Sequence, residues 1–252
     1  MSVSRDRSSA QSGSTGETIR IVIHALIIAL VIRTFLFQPF SIPSGSMKST
    51  LLIGDYLFVS KYSYGYSRFS FPFGPALFSG RILASVPERG DVIVFKLPRD
   101  NSTDYIKRVI GLPGDHIQVI GGVVHINGQP VKRERLEDYV ELDDRGNKIT
   151  VPRYRETLPE GKTYTVLDLV DNGYGDNTPE YVVPEGHFFM MGDNRDNSTD
   201  SRFLNMVGYV PFENLVGKAQ IIFLSLHDGD RFWEFWKWPR SIRWNRLFSG
   251  IE

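Results

Sequence analysis

The sequence contains no cysteine, and its lysine and arginine residues balance its aspartate and glutamate residues. The missing cysteine excludes disulfides, thiol catalysis and cysteine-based metal sites, while leaving the redox compartment undecided. The zero net charge gives no indication of nucleic-acid binding. A long charge-free apolar run is also lacking, because the best one covers only Ile21–Ile32. The 252 residues suffice for one sizeable core and a small subdomain.

The N-terminal region is predicted to hold one membrane span. Residues 1–18 are rich in Ser, Gly, Arg and Thr, which predicts a disordered cytoplasmic tail. The charge-free run alone is too short to cross a bilayer. With its flanks, at about 1.5 Å per residue, the segment reaches roughly 28 Å, close to the thickness of the hydrocarbon layer. We therefore predict a transmembrane helix at residues 19–38, with Arg33 reaching an interface.

Two other interpretations of this segment compete with a retained span. A cleavable signal peptide would be followed by an Ala-x-Ala-like site, which is absent here. An interfacial helix would need a polar face, which this segment lacks. Arg5, Arg7 and Arg20 precede the charge-free run, against Asp6 and Glu17, whereas Lys48 is the first basic residue after Arg33. This bias predicts a cytoplasmic N-terminus and an extracytoplasmic domain on the outer side of the bacterial plasma membrane.

Beyond the span the sequence predicts a mainly β chain. Short runs such as Tyr56–Val59, Val92–Phe95 and His116–Ile120 are branched or aromatic and are bounded by Gly, Asp or Pro. Asn127-Gly128 is a strong hairpin signal. We expect an antiparallel β domain over residues 39–229, with a smaller, more variable β subdomain inserted at residues 116–185, away from the catalytic groove.

The C-terminal residues 230–252 contain all four tryptophans together with several basic side chains. Mixtures of this kind are typical of membrane interfaces. The segment is therefore predicted to contact the membrane surface. The alternative is that its aromatic side chains pack on the β domain.

Ser46 and Lys107 are the candidate catalytic pair. Ser46 lies in the segment Ile42–Met47, and Lys107 lies in Asp104–Arg108. A serine hydroxyl is a weak nucleophile until a base takes its proton. Lysine can be that base only as a neutral amine, which requires a dry, apolar pocket. In a strand Lys107 would share a face with Tyr105 and Val109, a plausible wall of such a pocket.

Four stretches in order carry a resemblance to the bacterial type I signal peptidases, membrane-bound serine proteases that remove signal peptides from exported proteins. The stretches are Ser44-Gly45-Ser46-Met47 with Thr50–Asp55, then Arg89–Phe95, then Tyr105–Asp115, then Gly192–Ser198 with Asp200-Ser201-Arg202. The resemblance implies that preproteins carrying signal peptides are cut after small, Ala-x-Ala-like residues. It also implies no cofactor and no metal.

The resemblance further implies the roles of individual residues. Ser46 would attack the scissile carbonyl and form an acyl-enzyme, and Lys107 would move the protons. The backbone N–H of Ser46 and the hydroxyl of Ser44 would bind the oxyanion, while Ser198 would hold the lysine amine. The residues matching substrate-pocket positions are Phe40, Ile42, Pro43, Met47, Leu51, Tyr105 and Ile106. Asp200 and Arg202 are expected to form a buried ion pair, supported by contacts of Asp193 and Arg195.

One departure from the family pattern is visible three residues after the nucleophile. The family usually has proline there, whereas this chain has Ser49. Because proline fixes φ, its absence is expected to loosen one turn without changing the chemistry.

Four other functions fit the sequence less well: a calcium-binding loop, a histidine-based triad, a self-cleaving repressor and a non-catalytic module. The segment Asp193–Asp200 fails as an EF-hand-type calcium loop, because Arg195 occupies its third position. None of the five histidines lies in a recognisable catalytic motif. A self-cleaving Ser/Lys repressor would need a DNA-binding helix-turn-helix where the membrane segment stands. A non-catalytic anchored β module is disfavoured by the intact Ser46 and Lys107.

Overall fold

The structure is a computed structural model that describes residues 12–75, 78–142, 146–227, 229–230 and 232–251. Helix α1 covers Ser12–Val31 and continues as one π-helical segment at Ile32–Leu36. The stretch Thr15–Leu36 has a mean hydropathy of 2.2 and is almost entirely exposed. It is long and apolar enough to cross a membrane.

The helix differs from its predicted bounds at both ends. It begins at Ser12, so residues 12–18 of the predicted disordered tail are helical, whereas residues 1–11 lie outside the described residues. Extending an existing helix costs far less than starting one, which allows the apolar run to draw in these polar residues. The helix ends at Leu36 rather than at residue 38, because Phe37 and Gln38 pair with Ser60 and Val59 in a sheet.

The remaining elements are mostly strands, which confirms the mainly β prediction. In chain order they are β1 Phe37–Ser41, β2 Asp55–Ser60, β3 Val92–Lys96, β4 Asp104–Gly111, β5 His116–Ile120, β6 Val123–Ile126, β7 Gln129–Pro130, β8 Lys132–Arg135, β9 Tyr139–Leu142, β10 Lys148–Val151, β11 Arg153–Thr157, β12 Thr163–Leu167, β13 Tyr181–Val182, β14 His187–Met191, β15 Val210–Pro211, β16 Leu215–Ser225 and β17 Ser249–Gly250. The short helices are 3₁₀ turns at Gly45–Met47, Tyr62–Tyr64, Arg68–Ser70, Phe212–Asn214, Phe235–Lys237 and Trp244–Arg246, and α2 at Trp238–Ser241.

The main sheet is antiparallel and has the order β1-β2-β16-β3-β4-β14-β15, with β17 paired to β16. Strands from the predicted subdomain form three smaller sheets, ordered β13-β5-β6-β7, β12-β11-β8 and β10-β9. The Asn127-Gly128 turn between β6 and β7 has positive φ at both residues, as a type I′ hairpin turn requires. The described strands thus separate into one large sheet and a group of smaller ones.

A hydrophobic cluster lies directly beneath the loop that carries Ser46. Met47 and Leu51 from that loop pack there with Leu57 and Val59 of β2, and all four are fully buried. Burying a side chain of this size contributes roughly 1.5–3 kcal/mol to stability. The loop is therefore held in place by its own apolar residues.

The C-terminal segment docks on the domain through its basic residues. The guanidinium of Arg246 pairs with the buried carboxylate of Asp55, and Arg243 donates to the carbonyl oxygen of Ile53 at 2.9 Å. Trp238 packs against a small core cluster that contains Leu226. The indoles of Trp233, Trp236 and Trp244 remain largely exposed. Packing on the β domain is therefore confirmed for Trp238, Arg243 and Arg246, whereas membrane contact of the exposed indoles stays a prediction.

Candidate active site

Ser46 and Lys107 come together, although 61 residues separate them. Ser46 lies in the 3₁₀ turn Gly45–Met47 that follows β1, and Lys107 lies in the middle of β4. The Nζ of Lys107 is 2.7 Å from the Oγ of Ser46 and 2.9 Å from the carbonyl oxygen of Ile106. Both catalytic candidates are buried. The geometry allows direct proton transfer between hydroxyl and amine.

Burial changes the acidity of the lysine. It lowers the pKa of Lys107 from 10.5 to about 8, while the negative charges of Asp200 and Asp193 oppose this shift. The ring of Tyr105 lies beside the amine, with its centroid 5.4 Å from Nζ. An appreciable fraction of the amine is therefore neutral near neutral pH, as a general base requires.

The Ser46 loop is held by the loop that begins at Gly192. The side-chain amide of Asn194 donates to the carbonyl oxygen of Gly45 at 3.0 Å, and its backbone N–H donates to that of Ser46 at 3.1 Å. A Cβ atom at Gly192 would lie 2.5 Å from the carbonyl oxygen of Ser46 and 2.2 Å from the Oγ of Ser198. Close approach of the two backbones therefore requires glycine at this position.

Arg108 is a residue that the sequence analysis missed. It is fully buried and holds Asp193 with two bonds, Nε to Oδ1 at 2.9 Å and Nη2 to Oδ2 at 2.8 Å. Its Nη1 also donates to the carbonyl oxygen of Gly90 at 2.7 Å. Alternation along β4 sends Lys107 to one face and Arg108 to the other. The sequence offered one signal for this pair: Arg108 adjoins the candidate base, and an acidic residue, Asp193, lies in a distant loop.

Arg195 makes supporting contacts whose partners the sequence analysis had left unnamed, including its carbonyl oxygen, which accepts from Arg202 at 2.6 Å. Arg195 pairs with Glu156 of β11, Nη1 to Oε1 at 2.9 Å and Nη2 to Oε2 at 2.5 Å. The hydroxyl of Tyr164 also donates to Glu156 at 2.7 Å. Glu156 lies in a part of the chain that no motif covers, so its role could not be read from the sequence.

Two further contacts tie the smaller sheets to the site. Lys48 forms an ion pair with Glu141 of β9, and the backbone of Leu167 pairs with that of Asn194. Together with Glu156, these contacts show that parts of the 116–185 region support the loops around the catalytic pair. Among the described residues, none from 116–185 lines the catalytic cavity, so β9, β11 and β12 act on the supporting loops and not on the groove itself.

Asp200 and Arg202 form the ion pair that the sequence predicted. The Nε and Nη2 of Arg202 donate to the two carboxylate oxygens of Asp200, each at 2.9 Å. The backbone N–H of Gly192 also donates to Asp200 at 3.0 Å. Both side chains are buried. The pair therefore links the end of the loop back to its beginning.

The two supporting serines differ in position. The Oγ of Ser44 lies 3.5 Å from the Oγ of Ser46, and Ser44 makes no capping hydrogen bond to the following turn. The Oγ of Ser198 is buried and has no hydrogen-bond partner. The expected bond from Ser198 to the amine of Lys107 is therefore not formed, because that amine contacts Ser46 and the carbonyl of Ile106 instead.

A cavity of about 350 Å³ opens beside the catalytic pair. Among the expected pocket residues, the ones that line it are Phe40, Ile42, Pro43, Tyr105 and Ile106. Met47 and Leu51 do not line it, because both side chains are fully buried in the core beneath the loop. The lining also includes Asn197 and Thr199, which the sequence analysis did not single out.

Ser49 shows why proline is absent three residues after the nucleophile. Its φ is +87°, which a proline ring cannot adopt. Its hydroxyl donates to the carbonyl oxygen of Thr165 at 2.7 Å. The turn is therefore not simply looser than with proline; its backbone takes a different conformation that Ser49 ties to β12.

Three carboxylates outside the catalytic pair lie within 4.8 Å of one another, those of Asp168, Asp176 and Asp196. Each already accepts hydrogen bonds from the protein, from Arg133, from the N–H of Gly173, and from the N–H groups of Leu169 and Val170, respectively. The cluster therefore stabilises the loop that contains Gly173.

Comparison with known proteins decides the family. The profile of the family described as signal peptidase, peptidase S26, matches residues 15–224. The chain belongs to this signal peptidase family. It is 44% identical over 244 residues to a signal peptidase I of Rickettsia typhi, covering 90% of each chain. It is 45% identical over 243 residues to that of Rickettsia canadensis, covering 89% of each.

A solved structure of a signal peptidase I from Enterococcus faecalis V583 is 26% identical, with a TM-score of 0.31, and covers 53% of this chain and 97% of that one. Membership makes the chain a serine endopeptidase of the signal peptidase I type, a membrane enzyme that removes signal peptides from preproteins. The apolar helix at Thr15–Leu36 is consistent with membrane anchoring.

Proposed function

We propose that Ser46 is the nucleophile and Lys107 the general base of this signal peptidase. The observation that carries the proposal is the 2.7 Å contact between a buried hydroxyl and a buried amine whose pKa is lowered to about 8. The neutral amine takes the hydroxyl proton as Ser46 attacks the scissile carbonyl. It then passes the proton to the leaving amine, which leaves an acyl-enzyme. Lys107 next activates the water that releases the signal peptide.

The oxyanion formed in the attack needs donors in a fixed position. We assign this role to the backbone N–H of Ser46 and the hydroxyl of Ser44, which is 3.5 Å from the nucleophile. Losing one such donor typically costs about 3 kcal/mol of transition-state stabilisation. Ser198 is a positioning candidate, because its buried hydroxyl lies against Gly192, in the loop that holds Ser46.

The substrate is proposed to bind as an extended strand in the cavity beside the pair. β1 is an edge strand of the main sheet, and β14 pairs with β4 only from Arg108 onward, so both elements leave backbone groups beside the cavity without a strand partner among the described residues. Extended peptides commonly add to such edges. The apolar lining by Phe40, Ile42 and Ile106 suits small side chains at alternate positions of the substrate, as in Ala-x-Ala.

The chain is proposed to cross the membrane once, with a cytoplasmic N-terminus and the β domain outside. Among the described residues, one helix, Thr15–Leu36, is long and apolar enough to span, and the positive charge before it favours this orientation. The exposed tryptophans near the C-terminus are proposed to rest on the same membrane surface, while Arg243 and Arg246 hold the segment to the domain.

Cleavage of a purified preprotein by the full chain in detergent tests the mechanism. Ser46→Ala and Lys107→Ala are compared with wild type and with Ser85→Ala, an exposed serine that does not line the catalytic cavity. We expect both catalytic variants to lose at least about 1,000-fold in kcat. Near-normal turnover by either variant would overturn the assignment. Self-cleavage without cleavage of the preprotein would favour a repressor-like activity, and no cleavage by wild type would favour a non-catalytic module.

A further inference from the structure

A second cavity, which we call the basic cavity, lies next to the catalytic groove and shares Phe40 and Asp104 with it. Its volume is about 410 Å³. Three cationic side chains line it, those of Arg33, Arg68 and Lys96, against the single carboxylate of Asp104. The catalytic mechanism uses none of these cations.

The charges in the basic cavity are incompletely balanced. Lys96 pairs with Asp104 at 2.9 Å, and Arg68 pairs with Glu213 at 3.3 Å. Arg33 forms no ion pair with any described residue. One guanidinium therefore remains available to an anion, and guanidinium binds phosphate oxygens with paired hydrogen bonds.

The neighbouring Lys61 reports the positive potential of this region. It is fully buried, and its amine reaches only the carbonyl oxygens of Phe69 and Ser70, each at 3.4 Å. Burial lowers its pKa to about 7; the charge of Asp104 opposes this shift, whereas Arg33, Lys96 and Arg81 add to it. A bound anion would relieve the repulsion among these cations.

An apolar trough of about 740 Å³ adjoins the basic cavity. It is lined by Ala29 and Ile32 of the helix and by Phe37, Pro39, Phe58 and Ile221 of the β domain, together with Arg33 and Gln38. Arg33 and Gln38 also line the basic cavity. Along β1, Phe37 and Pro39 face the trough and Phe40 faces the basic cavity, so the two sites lie on either side of this edge strand and meet at Arg33 and Gln38. We treat them as one surface, apolar at one end and cationic at the other.

Hydrogen bonds connect the end of the helix to the β domain and fix the junction between them. The backbone N–H of Lys61 donates to the carbonyl oxygen of Leu36 at 2.9 Å, and the hydroxyl of Tyr66 donates to that of Phe35 at 3.0 Å. β1 then begins at Phe37 without a linker. Arg33 is thereby fixed where the trough meets the basic cavity.

We propose that this surface binds one anionic membrane phospholipid, with an acyl chain in the apolar trough and the phosphate against Arg33 and Lys96. The proposal rests on the membrane span described under the proposed function. A lipid fits because its apolar and anionic ends match the two ends of the surface. An uncharged stretch of signal peptide would leave the cations of the basic cavity without a partner.

Native mass spectrometry of the full chain in neutral detergent tests the proposal. The protein is titrated with short-chain phosphatidylglycerol, with phosphatidylcholine of the same chain length, and with inorganic phosphate. We expect phosphatidylglycerol to bind about tenfold more tightly than phosphatidylcholine, and Arg33→Gln with Lys96→Gln to abolish this difference. The matched control is Lys132→Gln with Lys148→Gln, which removes one ion-paired and one exposed lysine from the smaller sheets and should keep it.

Each outcome decides for or against the site. Equal binding of the two lipids by wild type would overturn the proposal. So would full competition by equimolar inorganic phosphate, which would indicate an anion site that ignores the lipid, or displacement by a signal peptide, which would assign the surface to the preprotein. Arg33→Gln alone, which breaks no described ion pair, should reduce the preference even if the double variant folds poorly. Ser46→Ala should bind lipid like wild type. The lipid-binding result therefore does not depend on whether Ser46 is the nucleophile.

Discussion

Replacing Lys107 by methionine should abolish cleavage and make the folded domain more stable at low pH. Methionine keeps the length and apolar character of the side chain without its charge. The folded-state pKa of Lys107 is about 8, against 10.5 in the unfolded chain. This difference of roughly 2.5 corresponds to about 3 kcal/mol, by which the charged amine opposes folding.

The direction in which stability changes with pH follows from the number of protons that the folded and unfolded chains bind. Below pH 8 the amine is charged in both states, and the full cost of burying the charge is present. Between pH 8 and 10.5 the unfolded chain binds more protons than the folded one, so the stability of wild type rises with pH. The advantage of Lys107→Met should therefore be about 3 kcal/mol at pH 6.5 and roughly 1.4 kcal/mol at pH 9.5. The lost contact with the Oγ of Ser46 offsets about 1 kcal/mol of this at either pH.

Urea unfolding of the full chain in detergent, followed by tryptophan fluorescence, measures the difference at the two pH values. Lys148→Met is the control, because Lys148 is exposed on β10 and its replacement should change stability by less than about 0.5 kcal/mol at either pH. The reasoning would be refuted if Lys107→Met were no more stable than wild type at pH 6.5. It would equally be refuted if its advantage did not shrink at pH 9.5.

Three further results are expected. Because only the neutral amine of Lys107 acts as base, kcat/KM of wild type should fall about tenfold per pH unit well below its pKa of about 8, as steady-state assays from pH 5.5 to 9 would measure. Glu156→Gln should lower the free energy of unfolding in urea by about 3–5 kcal/mol, because it leaves the buried guanidinium of Arg195 without a carboxylate. The control Glu134→Gln, at an exposed ion pair, should lower it by under about 1 kcal/mol. Gly192→Ala should lower kcat about 100-fold with a smaller change in KM, because the new Cβ would clash with the carbonyl oxygen of Ser46. Kinetics at saturating preprotein measure kcat, and an unchanged kcat would contradict this prediction.

Local sequence signals were sufficient for several strands, whereas the ordered motifs of a known family singled out the pair of catalytic candidates. The runs at Val92–Phe95 and His116–Ile120 lie in β3 and β5, because alternation and turn residues act within a few positions. The face of the strand to which Lys107 points was also predictable, because the alternation of side chains along a strand needs no tertiary information. The helix start was not, because the polar residues from Ser12 onward join a helix that the apolar run nucleates.

Partners across the fold could not be predicted. Asp193 and Arg195 are both buried and charged, and the sequence offers several oppositely charged residues for each. Only the packing of β4 and β11 against the Gly192 loop assigns Arg108 to one and Glu156 to the other. Likewise, the family resemblance placed Met47 in the substrate pocket, yet the 3₁₀ turn points its side chain into the core. Pairing and facing in irregular segments depend on contacts that are distant in sequence.

The direct passage from helix to β1, without a linker, gives the enzyme a fixed height above the bilayer. Ser46 follows the last helical residue, Leu36, by only ten positions, and β1 between them is locked into a sheet. An extended substrate advances about 3.3 Å per residue. The proposed span therefore sets the level at which the nucleophile meets an extended substrate, and the apolar pocket selects among the peptide bonds that reach this level.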